Sequence, residues 1–139
     1  MRRGGGHAGG AGPVQVRGAL RAALALSAPL NAAGALLFSP PGAPLRAMAG
    51  FPEAPAFYLW TLAIWVLAFG VAYGHAARVG RADRSLLALG AVGKGVFALL
   101  AATAATRGEL PWLTALSAAP DLVLAVLFAR GLARTDPRD

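Results

Sequence analysis

The chain alternates between four long apolar stretches and shorter segments rich in charged residues, glycine or proline. The apolar stretches cover residues 18–38, 54–77, 85–106 and 111–130. A helix of about 20 residues rises about 30 Å, which matches the hydrocarbon core of a bilayer. The pattern therefore predicts an all-α fold, a four-helix transmembrane bundle whose membrane domain covers residues 17–132.

The two ends of the chain differ from the spans in composition. Residues 1–16 are basic, rich in glycine and poor in large apolar side chains, so we expect a disordered tail. Residues 133–139 are predicted to form a second, short tail in the cytoplasm. Between the first two spans, residues 39–55 hold five of the ten prolines and therefore cannot form one long helix.

The first span has two interpretations. As a retained membrane helix, it is expected to bend near Pro29, which cannot donate a backbone hydrogen bond. As a secretory signal peptide, its basic start and apolar run would be followed by cleavage at the A-x-A sequence Ala47-Met48-Ala49. The apolar run is longer than the usual ~7 to 15 residues of a signal peptide and ends well before that site, which favours retention. Cleavage stays open, and the intact mass of the purified protein decides it.

The second span carries aromatic residues at both ends and a glycine pair near its end. We expect Phe57, Tyr58 and Tyr73 to lie at the two membrane interfaces, where Tyr and Trp side chains are enriched. Gly70 and Gly74 form a G-x-x-x-G motif, which permits close approach of two helices. The motif is interpreted as a packing feature.

Composition and charge agree with a membrane protein. Hydrophobic residues make up 57% of the chain and charged residues 14%, which is too apolar for an ordinary soluble domain. The net charge of +7 does not indicate nucleic-acid binding, because the arginines lie at the ends of the spans. The two termini and the second loop hold ten basic residues, and the other two loops hold only Arg46 and Arg107. By the positive-inside rule, both termini are cytoplasmic, which predicts a multi-pass protein of a bacterial inner membrane.

Residues with catalytic or metal-binding chemistry are scarce. The chain has no cysteine and two histidines, so we predict no thiol nucleophile, metal site or cofactor. The glycines around Lys94 resemble a phosphate-binding loop, but a Walker motif needs Ser or Thr where this chain has Gly95. Ser117 with Lys94 is a weak candidate for a serine–lysine dyad, since no oxyanion site accompanies it. We therefore expect no catalytic residues.

Three polar residues lie inside the spans and form the predicted site: Lys94, Asp121 and Asn31. Lys94 is the only lysine, and a lysine at the bilayer centre costs roughly 2.5–3.5 kcal/mol on insertion scales. The 1.5 Å helical rise places Lys94 and Asp121 each about 15 Å from the opposite ends of antiparallel spans, near the midplane. We predict a buried ion pair between them, with Asn31 within hydrogen-bonding reach.

The residues around the pair leave its role open. Lys94, Asp121 and Asn31 each lie on a face of small or polar residues, as expected for helices that face one another. Further contributors to the site are predicted to be Ser27, Ser117, Trp65 and His75. In one interpretation the pair only fixes helix register. In the other it belongs to a proton relay, an ion path or a polar pocket for a small ligand of unknown identity.

Several segments resemble a group of small, functionally uncharacterised bacterial four-helix membrane proteins. They are LLFSPPGAPLRAMAGFPE, VGKGVFALL and GELPWLTALSAAPDLVLAVLF, within residues 36–132. The resemblance is most specific in the GK pair of the third span, the following LPW and the intramembrane Asp121. It implies the four-helix architecture and no activity. This chain departs from the family pattern at Pro120, where the family tends to have asparagine.

Two functions follow as hypotheses. The first is a non-enzymatic accessory or small-ligand-binding component of the membrane, with the lipid bilayer as its surroundings. The alternative is a small transporter or proton-coupled carrier that uses the Lys94/Asp121 pair. Since four spans enclose little space for a path, the alternative predicts a homo-oligomer.

Overall fold

A computed structural model describes residues 12–134, and these residues are mostly helical. In chain order the elements are β1 (Val14–Gln15), α1 (Gly18–Phe38), a 3-10 turn (Pro40–Gly42), α2 (Ala43–Met48), α3 (Ala56–Val79), β2 (Arg81–Ala82), α4 (Arg84–Thr106), α5 (Trp112–Leu116) and α6 (Ala119–Ala133). Four helical segments are long and apolar enough to cross a membrane: Gly18–Phe38, Ala56–Val79, Arg84–Thr106 and Trp112–Ala133. The predicted helical class is confirmed, and so is the number of helical segments that could cross a membrane, with ends that differ by a few residues.

The fourth span is interrupted. Its two parts, α5 and α6, are separated by a turn at Ser117 and Ala118. Pro120 is the physical cause, because it has no N–H for the carbonyl of Leu116 and its ring clashes with that carbonyl in a continuous helix. The predicted fourth span at residues 111–130 corresponds to the candidate span Trp112–Ala133, but its interruption was not predicted. Asp121 consequently lies in the first turn of a new helix.

The helices pack mainly in two pairs, α1 against α3 and α4 against α6, and α1 also contacts α6. The G-x-x-x-G motif lies in the α1–α3 interface. A methyl carbon built on Gly70 would lie 2.9 Å from Asn31 Cβ and 3.2 Å from the carbonyl oxygen of Ala28. Glycine at position 70 therefore lets the two backbones approach closely, as the sequence predicts.

A short two-stranded ribbon joins the N-terminal segment to the second loop. Val14 pairs with Ala82 and Gln15 with Arg81 in antiparallel register, and the N–H of Val16 donates to the carbonyl of Gly80 at 2.9 Å. Residues 14–16 are therefore ordered, although the sequence analysis assigned them to a disordered tail ending at residue 16. Val14 and Val16 are buried, and apolar burial explains the order. Residues 1–11 and 135–139 lie outside the described residues.

The buried core lies at the end of the helices that carries the ribbon. Leu24, Leu87 and Phe128 are fully buried there, packed with Tyr73 and the two valines of the ribbon. Elsewhere most side chains face outward, since no more than about a quarter of the residues in any span are buried. The outward side chains include many large apolar ones, among them Leu99, Leu100 and Trp65. Such a surface is suited to lipid and not to water.

Arginine side chains cover the carboxyl ends of three membrane helices. Arg46 donates to the carbonyls of Leu37 and Ser39 at the end of α1, and Arg21 donates to Ala77 O at 2.9 Å in α3. Arg84 makes a long contact, 3.5 Å, to Leu132 O in α6. Carbonyls at the carboxyl end of a helix lack intrahelical donors and carry partial negative charge. A guanidinium group donates hydrogen bonds to them and is attracted by that charge.

Candidate functional site between the helices

The predicted ion pair between the third and fourth spans is confirmed. Lys94 Nζ lies 2.5 Å from Asp121 Oδ1, and it is the only ion pair within residues 12–134. Lys94 lies about 15 Å from the start of α4 and about 18 Å from its end, calculated from the helical rise. The ammonium group is therefore near the middle of the span, where an unpaired charge is costly.

Asn31 connects the pair to the other two membrane helices. Its side-chain oxygen accepts a hydrogen bond from Lys94 Nζ at 3.2 Å, and its side-chain nitrogen donates to Val66 O at 3.0 Å. The amide thus has one side toward α4 and the other toward the backbone of α3. One chain of polar contacts runs from α3 through α1 and α4 to α6.

The break in the fourth span places Asp121 where its charge is favoured. The carboxylate lies in the first turn of α6, and the N-terminus of a helix carries partial positive charge. The helix end therefore adds a favourable electrostatic contact for the carboxylate, besides the one with Lys94. A continuous helix would place the same residue in mid-helix, where that contribution is absent.

Tyr73 of α3 closes the site on the side of the buried core. Lys94 Nζ lies 5.8 Å from the centre of the Tyr73 ring, and that ring contacts Phe128 with centres 5.2 Å apart. Gly90 makes room for both rings, because a methyl carbon there would lie 2.5 Å from the Tyr73 hydroxyl and 2.9 Å from Phe128. A cation over an aromatic face is stabilised electrostatically, and more so when it is removed from water.

The two partners of the ion pair differ in exposure. The Lys94 side chain is 8% exposed, whereas that of Asp121 is 26% exposed. Lys94 has hydrogen bonds to two side chains, but the described hydrogen bonds of the Asp121 carboxylate involve only its Oδ1. Asp121 is therefore the more accessible partner of the pair, and its carboxylate offers an acceptor oxygen.

The other residues predicted for the site lie in different environments. Ser27 is fully buried on α1, one turn before Asn31, and its hydroxyl has no hydrogen-bond partner among the described residues. Ser117 is exposed and donates to Thr114 O at 2.6 Å, within α5. Trp65 and His75 are exposed. In the described part of the chain, no hydrogen bond joins Ser117, Trp65 or His75 to the ion pair.

The sequence analysis missed two parts of the site. Tyr73 was assigned to the interfacial aromatic residues, but it is only 2% exposed and lies beside Lys94. Gly70 of the same helix, three residues before Tyr73, faces α1 and was the available signal that this part of α3 is turned inward. The helix break was the second omission, and Pro120 next to Asp121 was its signal.

The site has no residues suited to a metal ion. Within residues 12–134, no three His, Cys, Asp or Glu side chains lie close enough together to bind one. The polar groups of the site are one ammonium, one carboxylate and one amide, which suit proton exchange or hydrogen bonding to a small molecule. Neither a nucleophile with its base nor an oxyanion site accompanies them.

No protein-family model, curated protein or solved structure matches this chain. The functional argument therefore depends on the geometry of the helices and of the polar site.

Proposed function

We propose that the protein is a non-enzymatic, multi-pass component of the bacterial inner membrane that acts as an accessory or small-ligand-binding protein. In this proposal the four spans form a bundle around the polar site made by Lys94, Asp121 and Asn31. The observation that supports it most is the contact of Lys94 with both other residues near the middle of its span. A polar group at that depth requires partners, and all four spans supply atoms to the site or to its immediate surroundings.

The proposed orientation has both termini in the cytoplasm. The ribbon brings residues 14–16 to the loop at 80–82, and Arg84 contacts Leu132 near the end of α6. These contacts support an even number of crossings, since they bring both described ends of the chain to one end of the helices. The arginines at that end, among them Arg17, Arg78 and Arg130, support its cytoplasmic location.

The orientation can be tested by cysteine labelling, because the native chain has no cysteine. Met48→Cys introduces a thiol in the first loop, where the native side chain is 85% exposed, and Arg81→Cys introduces one in the ribbon. A membrane-impermeant maleimide added to spheroplasts is expected to label position 48 at once and position 81 only after lysis. The reverse pattern would contradict the orientation, and equal labelling of both in sealed cells would contradict the four-span topology.

Ligand binding at the site can be tested separately from topology. We expect protonatable amines or small hydrogen-bond donors to bind at Asp121, because its carboxylate is the more exposed partner. Asp121→Asn keeps the shape of the side chain and removes its charge. As a control, Asp83→Asn removes an exposed carboxylate directly before the start of α4. A thermal-shift screen should detect ligands whose effect is lost in the first variant and kept in the second. Stabilisation that is unchanged in Asp121→Asn would place binding elsewhere.

A second candidate, a small oligomeric transporter or proton-coupled carrier, is favoured by the broken fourth span. Interrupted helices beside an ionisable residue at the middle of the membrane are a feature of secondary transporters. In this candidate Asp121 is the residue that releases and accepts the proton, and Lys94 is its ion-pair partner. Purified protein in proteoliposomes should then carry a proton flux that Asp121→Asn abolishes. Equal flux in the native protein and in this variant would contradict the carrier candidate.

A further inference from the structure

A groove follows the interface between α1 and α6. One cavity, of about 520 Å³, lies where β1 leads into α1 and where α6 ends. A second, of about 370 Å³, lies farther toward the middle of the same helices. Ala19 and Leu127 line both cavities, so the two adjoin and form one groove.

The two parts of the groove have different chemistry. The outer part is lined by Arg17, Arg130 and Arg134, together with Gln15 and small or apolar residues. The inner part is lined only by alanine, leucine, valine and proline side chains from residues 19–26 of α1 and 120–127 of α6. A polar, cationic end thus continues into an apolar one.

The three arginines of the outer part have no acidic partner in the described part of the chain. The only ion pair there is the one between Lys94 and Asp121, and no described hydrogen bond involves the guanidinium groups of Arg17, Arg130 and Arg134. By contrast, Arg21 and Arg46 bind backbone carbonyls at helix ends. Three arginines that line one cavity and have no acidic partner among the described residues are suited to a phosphate.

The length of the groove matches one leaflet of a bilayer. From Pro120 at its inner end to Arg130 at its outer end, α6 rises about 15 Å, which is half of the ~30 Å hydrocarbon core. The arginines consequently lie at the depth of the headgroups, and the apolar part ends near the midplane. An acyl chain that starts at this headgroup position would run along the apolar part.

We propose that this groove is a binding site for one anionic phospholipid of the cytoplasmic leaflet. The phosphate lies among Arg17, Arg130 and Arg134, and an acyl chain fills the apolar part between α1 and α6. Basic pockets between membrane helices on the cytoplasmic side are suited to anionic headgroups. A soluble anion would use the arginines but leave the apolar part without an occupant. The proposal depends on the membrane embedding and orientation described above, and it is independent of any ligand at Lys94 and Asp121.

Native mass spectrometry of the full chain in detergent tests this proposal. Phosphatidylglycerol and phosphatidylcholine with identical acyl chains are titrated separately, and glycerol 3-phosphate serves as a headgroup without chains. We expect tight binding of one phosphatidylglycerol and weaker binding of phosphatidylcholine. Glycerol 3-phosphate should not displace the bound lipid. If it displaces the lipid at equal concentration, the groove binds a soluble anion and the lipid proposal is wrong.

Removal of the arginines tests the headgroup end. Each charge-assisted hydrogen bond to the phosphate is worth about tenfold or more in affinity, so Arg130→Gln combined with Arg134→Gln should weaken phosphatidylglycerol binding about 100-fold or more. The matched control is Arg78→Gln combined with Arg81→Gln, which removes the same charge from the exposed end of α3 and the following strand. This control should stay within about twofold of the native protein, because neither Arg78 nor Arg81 lines the groove. Equal losses in the two double variants would show general charge attraction and would contradict a specific site.

Filling the apolar part tests the acyl chain. Ala22 and Ala25 are both exposed and lie one turn apart on α1, but Ala22 lines the inner cavity and Ala25 lines neither cavity. Ala22→Phe should weaken binding of both phospholipids about tenfold or more, and Ala25→Phe should leave it unchanged. Thermal unfolding of each variant in detergent verifies that it is folded. Unchanged phosphatidylglycerol binding in folded Ala22→Phe would show that no acyl chain occupies the groove.

Discussion

The contact between α1 and α3 at Gly70 gives a quantitative prediction. A methyl group at this position would lie 2.9 Å from Asn31 Cβ, and 3.2 Å from the backbone oxygen of Ala28, which cannot rotate away. Overpacking of this kind lowers the free energy of unfolding by about 1–3 kcal/mol, and the higher helix propensity of alanine offsets up to about 1 kcal/mol of that loss. We therefore expect Gly70→Ala to lower the free energy of unfolding by about 1–2 kcal/mol.

The control for this prediction is Gly93→Ala. Gly93 lies in the interior of α4, and a methyl group there has no atom within 4 Å. Only the propensity term remains, so this variant should be more stable than the native protein by about 0.5–1 kcal/mol. Equilibrium unfolding in mixed detergent micelles, followed by circular dichroism, measures both variants. If Gly70→Ala is as stable as Gly93→Ala, the close approach of α1 and α3 is wrong.

Substitutions of Ser27 and Arg46 test two other polar side chains, with Ser39 and Arg107 for comparison. Ser27→Ala removes a buried hydroxyl that has no partner in the described chain, so this variant should be more stable by about 1 kcal/mol or more in the same assay. Ser39→Ala removes a hydroxyl that donates to Leu36 O at 2.7 Å, so this variant should be less stable by about 1 kcal/mol. Arg46→Leu leaves the carbonyls at the end of α1 without their donor and should cost about 1.5–3 kcal/mol. The exposed Arg107 provides the control as Arg107→Leu, and equal effects of the two arginine substitutions would show that Arg46 does not stabilise the helix end.

Much of the helical architecture was predictable from the sequence, because a chain that crosses a membrane must satisfy its backbone hydrogen bonds internally. An apolar run of about 20 residues must be helical to satisfy its backbone, so hydropathy alone identifies the spans. The ion pair was predictable for a related reason, since Lys94 needs a partner and Asp121 lies at a similar depth in the adjacent span.

The burial of Tyr73, the effect of each proline inside a span and the order of residues 14–16 depend on three-dimensional packing, which the sequence pattern does not specify. Tyr73 lies near the end of a span, so its position alone indicates an interfacial residue, whereas the packing against Gly90 and Phe128 buries it. A proline inside a span either bends or ends the helix, and the sequence does not say which. In the structure α1 continues through Pro29, and the fourth span breaks before Pro120. The order of residues 14–16 depends on strand pairing with a loop more than 60 residues away, which no local pattern encodes.

The central claim is that Lys94 and Asp121 form one buried unit near the middle of the membrane. A double-mutant cycle with Lys94→Met, Asp121→Leu and the combined variant measures their coupling free energy by equilibrium unfolding in detergent. Each single substitution leaves a charge without its partner and should cost about 3–5 kcal/mol, whereas the combined variant should lie within about 1 kcal/mol of the native protein. A combined effect equal to the sum of the two single effects would show that the residues do not interact, and would contradict the site on which the proposed function depends.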